Sequence, residues 1–259
     1  MVNWDDERYA DVGALQRLVA EASIDGLVLA GNERLLDVGC GDGVITTLLA
    51  ERLPSGSVIG VDASSSLIGK APTRVPEASR QVQFRVEDPL ALPFEREFDV
   101  AVSFNALDWI ENQAAALSGI ARSLDTGGRA YIQMTIATQT PSIEAVTVDV
   151  ARRWRYRETF YDYKTPYFHV VPDRFFDIAA AAGFTVSDLE VKDLSWKFDS
   201  TDDFKQWFAS SASVWIDQLK ESVVDDFVDE VIARYQLVTG ERALLQFSQM
   251  RASLAVADK

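Results

Sequence analysis

Leu35-Leu36-Asp37-Val38-Gly39-Cys40-Gly41-Asp42-Gly43 is the stretch on which the reading of this chain turns. Leu35, Leu36 and Val38 supply a buried strand, which breaks into a tight glycine turn. Val44-Ile45-Thr46-Thr47-Leu48-Leu49-Ala50 then resumes at helical spacing. Glycines in such a turn permit positive φ and let a ligand approach without meeting a Cβ. A dinucleotide site would place a third glycine at position 44, seating the helix beside a pyrophosphate. Position 44 is Val, and the turn carries Asp37 and Asp42, which repel phosphate and suit a cationic ligand.

Further landmarks follow in order. Val58-Ile59-Gly60-Val61-Asp62 reads as a second strand ending in an acid, whose carboxylate can accept two hydrogen bonds from a ribose diol. Val82-Gln83-Phe84-Arg85-Val86-Glu87-Asp88 is a third strand, and Phe98-Asp99-Val100-Ala101-Val102-Ser103-Phe104-Asn105 a fourth. Asp125-Thr126-Gly127-Gly128-Arg129 closes a helix and turns into a fifth strand over 130–136. In this order the landmarks resemble the class I S-adenosylmethionine-dependent methyltransferases, over residues 33–137. Their cofactor carries a sulfonium and an ammonium and no phosphate, and leaves as S-adenosylhomocysteine. The resemblance implies a cofactor site at Asp37, Gly39, Cys40, Gly41, Asp62, Ala63, Ser64, Asp88, Pro89 and Asn105. In the family the acid at Asp88 receives the adenine amino group. Asp62 also reads as a helix N-cap, and Cys40 as a small residue facing the cofactor, with no partner to activate its thiol.

The implied fold is α/β: a Rossmann-like, seven-stranded, mostly parallel sheet with helices on both faces and an antiparallel last strand. Residues 1–32 read as an amino-terminal helical arm, 33–137 as the cofactor-binding core and 138–171 as a helical and aromatic cap. Residues 172–259 complete the sheet, with a helical insertion at about 202–240. Within these, 143–159 reads as helix and 161–169 as an aromatic loop. A helix over 172–182 starts at Pro172 and is closed by Gly183, followed by a sixth strand over 184–191. Residues 202–235 read as helix broken near Ser210-Ser211, and 242–257 as the seventh strand.

Bulk properties narrow the function. The 259 residues carry a net charge of −15, from 25 basic and 40 acidic side chains, which opposes a nucleic-acid partner. No apolar run reaches the ~18 residues of a bilayer span, and no leader pattern precedes the fold. A single Cys excludes an internal disulfide and makes the cytoplasm the default compartment. With one His and one Cys no metal site is expected, and a hydrolase triad lacks its Gly-x-Ser-x-Gly turn. The expected partner is a small-molecule acceptor, with the protein a monomer or dimer.

For the acceptor, Asn105-Ala106-Leu107-Asp108-Trp109-Ile110 lacks the Asn/Asp-Pro-Pro-aromatic run of many amine and nucleobase methyltransferases. It resembles the small-molecule carboxyl methyltransferases, in particular the trans-aconitate and juvenile hormone acid enzymes. Those often read Leu-His-Trp where this chain has Leu107-Asp108-Trp109. Tyr9 and Gly13-Ala14-Leu15-Gln16 resemble the hormone enzymes' Tyr…Gly-Val-Gln. The resemblance implies that the Gln16 amide and Trp109 indole hold an acceptor carboxylate. Asp108 would repel such an acceptor unless paired, and with His169 it offers a base for a hydroxyl, amine or carbon acceptor. Arg152, Arg153 and Arg155, in an arginine cluster, read either as solvated surface or as holders of an anionic acceptor. Tyr9 and Tyr167 join them as candidate substrate contacts. A carrier-bound acyl group is a second kind of acceptor, and a non-catalytic S-adenosylmethionine-binding protein a third reading.

Overall fold

The computed structural model describes residue 24 and residues 26–74 and 81–257. These hold seven strands, β1 (Arg34–Val38), β2 (Ser57–Asp62), β3 (Val82–Val86), β4 (Phe98–Phe104), β5 (Leu124–Thr135), β6 (Phe184–Lys197) and β7 (Leu244–Val256). Helices α1 (Val44–Glu51), α2 (Ser65–Lys70) and α3 (Gln113–Ser123) lie between the first five strands. They are followed by α4 (Ile143–Ala151), α5 (Pro172–Ala181), α6 (Thr201–Ser211), α7 (Ser213–Ile216) and α8 (Glu221–Thr239). The strands form one sheet in the order β3-β2-β1-β4-β5-β7-β6. Pairing is parallel from β3 through β5, and β7 runs antiparallel to β5.

The two faces of the sheet explain the apolar run of β1. Leu36 and Val38 point to one face with Ala101, Ile132 and Met134, where Leu117 and Ile120 of α3 and Phe175 and Ala179 of α5 cover them. Leu35 points to the other face with Val58, Val100 and Val102, covered by Leu49 and Ala50 of α1, and by Leu53, Ile24 and Leu27. A strand buried on both faces must be apolar at consecutive positions. Leu35, Leu36 and Leu49 are wholly buried, each contributing roughly 1.5–3 kcal/mol.

Cα packing divides the described residues into two compact units. One comprises residues 24–136, 167–191 and 249–257, and the other 137–166 and 192–248. Tyr167, Phe168 and His169 thus group with the sheet, whereas the sequence assigned them to a cap ending at 171. In the second unit the helix expected over 143–159 stops at Ala151, with Arg152 as its C-cap. The chain continues in successive turns, Tyr156 and Arg157 donating their N–H to the Arg153 carbonyl at 2.9 and 2.8 Å. Tertiary packing explains the break: Tyr156 meets the Phe227 ring of α8 edge-on and Phe160 stacks on it, with ring centroids 5.0 and 5.8 Å away. Arg153 pairs with Glu230 at 2.8 Å, and Arg155 pairs with Asp226. The expected break near Ser210-Ser211 falls between α6 and α7, and Gly240 ends α8 in the left-handed region at φ 71°.

Two strands run longer than expected. β6 extends to Lys197 as an outer strand of the sheet, its outer positions polar and exposed. β5 starts at Leu124 because Leu124 already pairs with Phe98, and the register then jumps to Val100–Arg129. That irregularity accommodates the Asp125-Thr126-Gly127-Gly128 turn inside the strand.

Candidate functional site

The carboxyl ends of β1, β2, β3 and β4 carry the residues singled out from the sequence. Gly39, Gly41 and Gly43 all have positive φ, at 80°, 56° and 79°. Space reinforces the requirement at two of them. A Cβ on Gly39 would lie 2.2 Å from the Ala106 Cβ, and one on Gly43 2.7 Å from the Phe84 ring. The turn is therefore pressed between the segment after β4 and β3. It is also tied to β2, since the Gly39 and Cys40 N–H groups both donate to the Val61 carbonyl, at 2.8 and 3.0 Å.

Asp62 is the hinge of this cradle. Its Oδ2 accepts from the Gly41 N–H at 3.0 Å and its Oδ1 from the Ser64 N–H at 2.8 Å. One carboxylate thus holds the glycine turn and the turn after β2 in mutual register. Each oxygen keeps a second lone pair, which is the acceptor set that a vicinal diol requires. Ser64, and not Asp62, is the N-cap of α2, accepting from the Leu67 N–H at 3.3 Å. Half-buried Ala63 links the two. Asp88 caps the short 3-10 turn Pro89–Ala91 and accepts from the Leu90 N–H at 2.9 Å, with Pro89 at the first position of that turn.

Asp37 lies inside the turn. It is buried, and the Thr46 hydroxyl of α1 donates to its Oδ2 at 2.6 Å. Burial pushes its carboxyl up to about 7, the Thr46 hydrogen bond opposing this and the neighbouring Asp62 charge adding to it. Asp42 is buried in the same turn. The Cys40 thiol packs where a Cβ on Gly60 would lie, 3.0 Å away, and burial raises its pKa far above the ordinary range. That excludes the thiolate a nucleophile would need.

At the end of β4, Asn105 adopts φ 54°, a left-handed conformation that Asn tolerates better than most residues. Its N–H donates to the Gln133 carbonyl at 2.8 Å, and its Oδ1 accepts from the Gln249 amide at 2.7 Å. The chain then forms a 3-10 turn, Leu107–Trp109. Asp108 in this turn is buried, with its Oδ2 3.4 Å from the Thr135 N–H, and Trp109 is half-buried. The Phe168 N–H donates to the Asp108 carbonyl at 2.6 Å, which brings the Tyr167–His169 segment beside Asp108 and Trp109. The Tyr167 and His169 rings touch, centroids 4.7 Å apart.

The structure therefore assembles Asp37, Gly39, Cys40, Gly41, Asp62, Ala63, Ser64 and Asn105 around one cradle, with Asp88 and Pro89 on the adjoining strand end. Trp109, Asp108, Tyr167 and His169 form a second group at the end of β4. Tyr9 and Gln16 lie outside the described residues. Arg152, Arg153 and Arg155 are exposed in the other unit, the last two paired with acids of α8. Thr46, Gln113 and Gln249 escaped the sequence reading. Each is a polar residue in an ordinary helix or strand pattern, and only its tertiary partner marks it.

Among the described residues, no ion pair reaches Asp37, Asp62 or Asp88, whose hydrogen-bond donors are neutral. The cradle thus suits a ligand that brings positive charge, a ribose and no phosphate. S-adenosylmethionine meets that description. No cluster of metal-binding side chains occurs among the described residues, and no described helix is long and apolar enough to cross a membrane.

Comparison with known proteins agrees with this geometry. Residues 35–128 match the family described as a methyltransferase domain. The chain is 29% identical over 196 residues to a putative methyltransferase of Invertebrate iridescent virus 6, covering 75% of this chain and 71% of the viral protein. It is 31% identical over 142 residues to the trans-aconitate 2-methyltransferase of Methylobacterium nodulans, covering 55% of this chain and 54% of that enzyme. The match thus spans about half the length of the trans-aconitate relative. A solved putative methyltransferase from Bacillus halodurans shares the fold, with a TM-score of 0.67 at 17% identity, covering 92% of this chain and 99% of that one. The glycine cradle, the acid closing β2, the strand order and these relatives agree: residues 35–128 form a methyltransferase domain, and the chain is similar to S-adenosylmethionine-dependent methyltransferases, the trans-aconitate enzymes among them.

Proposed function

We propose that the protein methylates a small-molecule carboxylate, with Gly39, Gly41, Asp62 and Asp88 holding the methyl donor and Trp109 with Gln16 holding the acceptor. When bound, S-adenosylmethionine supplies an electrophilic methyl group on a sulfonium. Asp62 accepts from the ribose hydroxyls, Asp88 receives the adenine amino group, and the glycines admit the ligand to the backbone. A carboxylate acceptor is already ionised at pH 7 and needs no base. The protein's work is then to align the acceptor with the methyl and to exclude water. The Trp109 indole and Gln16 amide are neutral donors, which orient an anion without quenching its nucleophilicity as a paired guanidinium would.

One observation carries the preference for a carboxylate. Asp108, in the place of the common His, is buried with its carboxylate against the Thr135 N–H, so its charge is withdrawn from the crevice. A second reading, in which His169 or Asp108 acts as base toward a hydroxyl or amine, is favoured by the contact of His169 with Tyr167 beside the same turn.

The test is incubation of the pure protein with labelled S-adenosylmethionine and a panel of carboxylic acids, phenols and amines. The expected result is base-labile methyl ester formation, with Trp109→Phe losing on the order of 10²-fold in kcat/KM through misalignment of the acceptor. Label entering only phenols or amines, or full activity in Trp109→Phe, would transfer the assignment to the base mechanism.

A further inference from the structure

Gln113 is a buried polar residue that the reaction scheme leaves without a task. It is the first residue of α3, only 3% exposed, directly after the N-cap Asn112. Its amide nitrogen donates twice, to the Leu107 carbonyl at 3.1 Å and to the Phe168 carbonyl at 2.7 Å. Those two carbonyls belong to segments 61 residues apart in sequence. Leu107 opens the 3-10 turn that holds Asp108 and Trp109, while Phe168 sits between Tyr167 and His169.

The bond from the Phe168 N–H to the Asp108 carbonyl at 2.6 Å completes the lacing. Phe168 is therefore fastened through both of its backbone polar groups, one to the 3-10 turn and one to α3. The Tyr167 and His169 rings on either side of it touch, with centroids 4.7 Å apart. The orientation of the Gln113 amide is not interchangeable, because a flip would set its oxygen against two carbonyl oxygens. Its own Oε1 is buried with no hydrogen-bond partner among the described residues. Leaving a buried acceptor unpaired is costly, so the site tolerates that loss to keep both donations.

We propose that Gln113 is a positioning residue for methyl transfer. Its amide sets the spacing between the Asp108–Trp109 turn and the Tyr167–His169 segment, and so shapes the acceptor side of the site without touching either reactant. This rests on the reading that these residues face the acceptor. It predicts a division of labour, since the cofactor cradle of Gly39, Gly41 and Asp62 receives no hydrogen bond from Gln113.

The experiment uses Gln113→Glu, which keeps the shape and replaces the donor by a carboxylate facing two carbonyls, and Gln113→Met, which removes the donor without adding charge. Two measurements are made on each. Hydrogen–deuterium exchange should accelerate about tenfold or more at the Phe168 amide, with residues 34–50 unchanged. In kinetics the acceptor KM should rise about tenfold or more while S-adenosylmethionine affinity stays within about twofold. Unchanged exchange at Phe168 in both variants would refute the clamp. Faster exchange with unaltered acceptor KM would refute its role in positioning, as would an equal loss of cofactor affinity, which marks general destabilisation. If the wild-type protein methylates no acceptor of the panel, the proposed function fails, and this positioning role with it, although exchange still decides whether the clamp exists.

Discussion

The two edges of the parallel sheet carry the same kind of side chain to opposite ends. At the amino edge, Arg34 meets Asp99 at 2.6 Å and Asp125 at 3.3 Å, Arg96 reaches Asp125 at 3.3 Å, and Arg129 meets Glu33 at 3.0 Å. The Arg34 hydrogen bond holds the Asp99 carboxyl below its usual range. At the carboxyl edge Asp37, Asp62 and Asp88 rest on a hydroxyl and on backbone N–H groups. There burial pushes Asp37 up to about 7. An edge whose acids are neutralised by the chain's own arginines is structural. At the other edge Asp62 and Asp88 meet only neutral donors, which leaves that edge to a cationic ligand, while buried Asp37 holds its proton.

The largest expected effect tests the buried acid of the ligand edge. Asp37 holds its proton in the folded state up to about pH 7, while in the unfolded chain it titrates near 3.8. The native state binds more protons through this window, so stability falls as pH rises across it, by on the order of 1.4 kcal/mol per pH unit at most. Asp37→Asn removes that slope. Calorimetric melting of both proteins at pH 5 and pH 8 should show the variant gaining relative to wild type at the higher pH. A difference independent of pH would mean that Asp37 is ionised in the fold and adds its charge to the ligand edge.

Next in size is Asp62→Ala, which deletes the acceptor joining the two turns. Titration calorimetry should show S-adenosylmethionine binding weakened by about 2 kcal/mol, or roughly 30-fold. The loss should be as large for S-adenosylhomocysteine, which has the same ribose and no sulfonium. Unchanged affinity would remove Asp62 from the cofactor site.

Arg34→Ala should do the reverse at the opposite edge. Its partners are partly exposed, so solvent screening limits the stability loss to about 1 kcal/mol. Cofactor affinity should not change, and a measurable drop in it would show that the edges are electrostatically coupled. The smallest effect is expected for Arg153→Ala. Its exposed pair with Glu230 is worth a few tenths of a kcal/mol, and acceptor KM should stay constant. A raised KM would restore the reading of the arginine cluster as an acceptor contact.

Legibility in the sequence followed the range of the interaction. Gly39, Asp62 and Pro172 are marked by their place at a strand end or helix start, so spacing along the chain was enough to find them. The end of the helix at Ala151 was not visible, because Tyr156 and Phe160 keep a helical spacing and only Phe227, far along the chain, draws them into turns. Asp108 read as a possible charge in the acceptor space, and its burial depends on β5 lying beside it.

From the sequence alone came the alternation of strands and helices, the glycine turn, and the acids closing β2 and β3. Local sterics and hydrophobic periodicity dictate these, and both are written in neighbouring residues. Only the tertiary structure decided that Asp62 binds two turns together, that Asp37 turns inward to Thr46, and that Gln113 joins Leu107 to Phe168. Each of these is a buried polar group satisfied by a partner whose position exists only after the chain has folded.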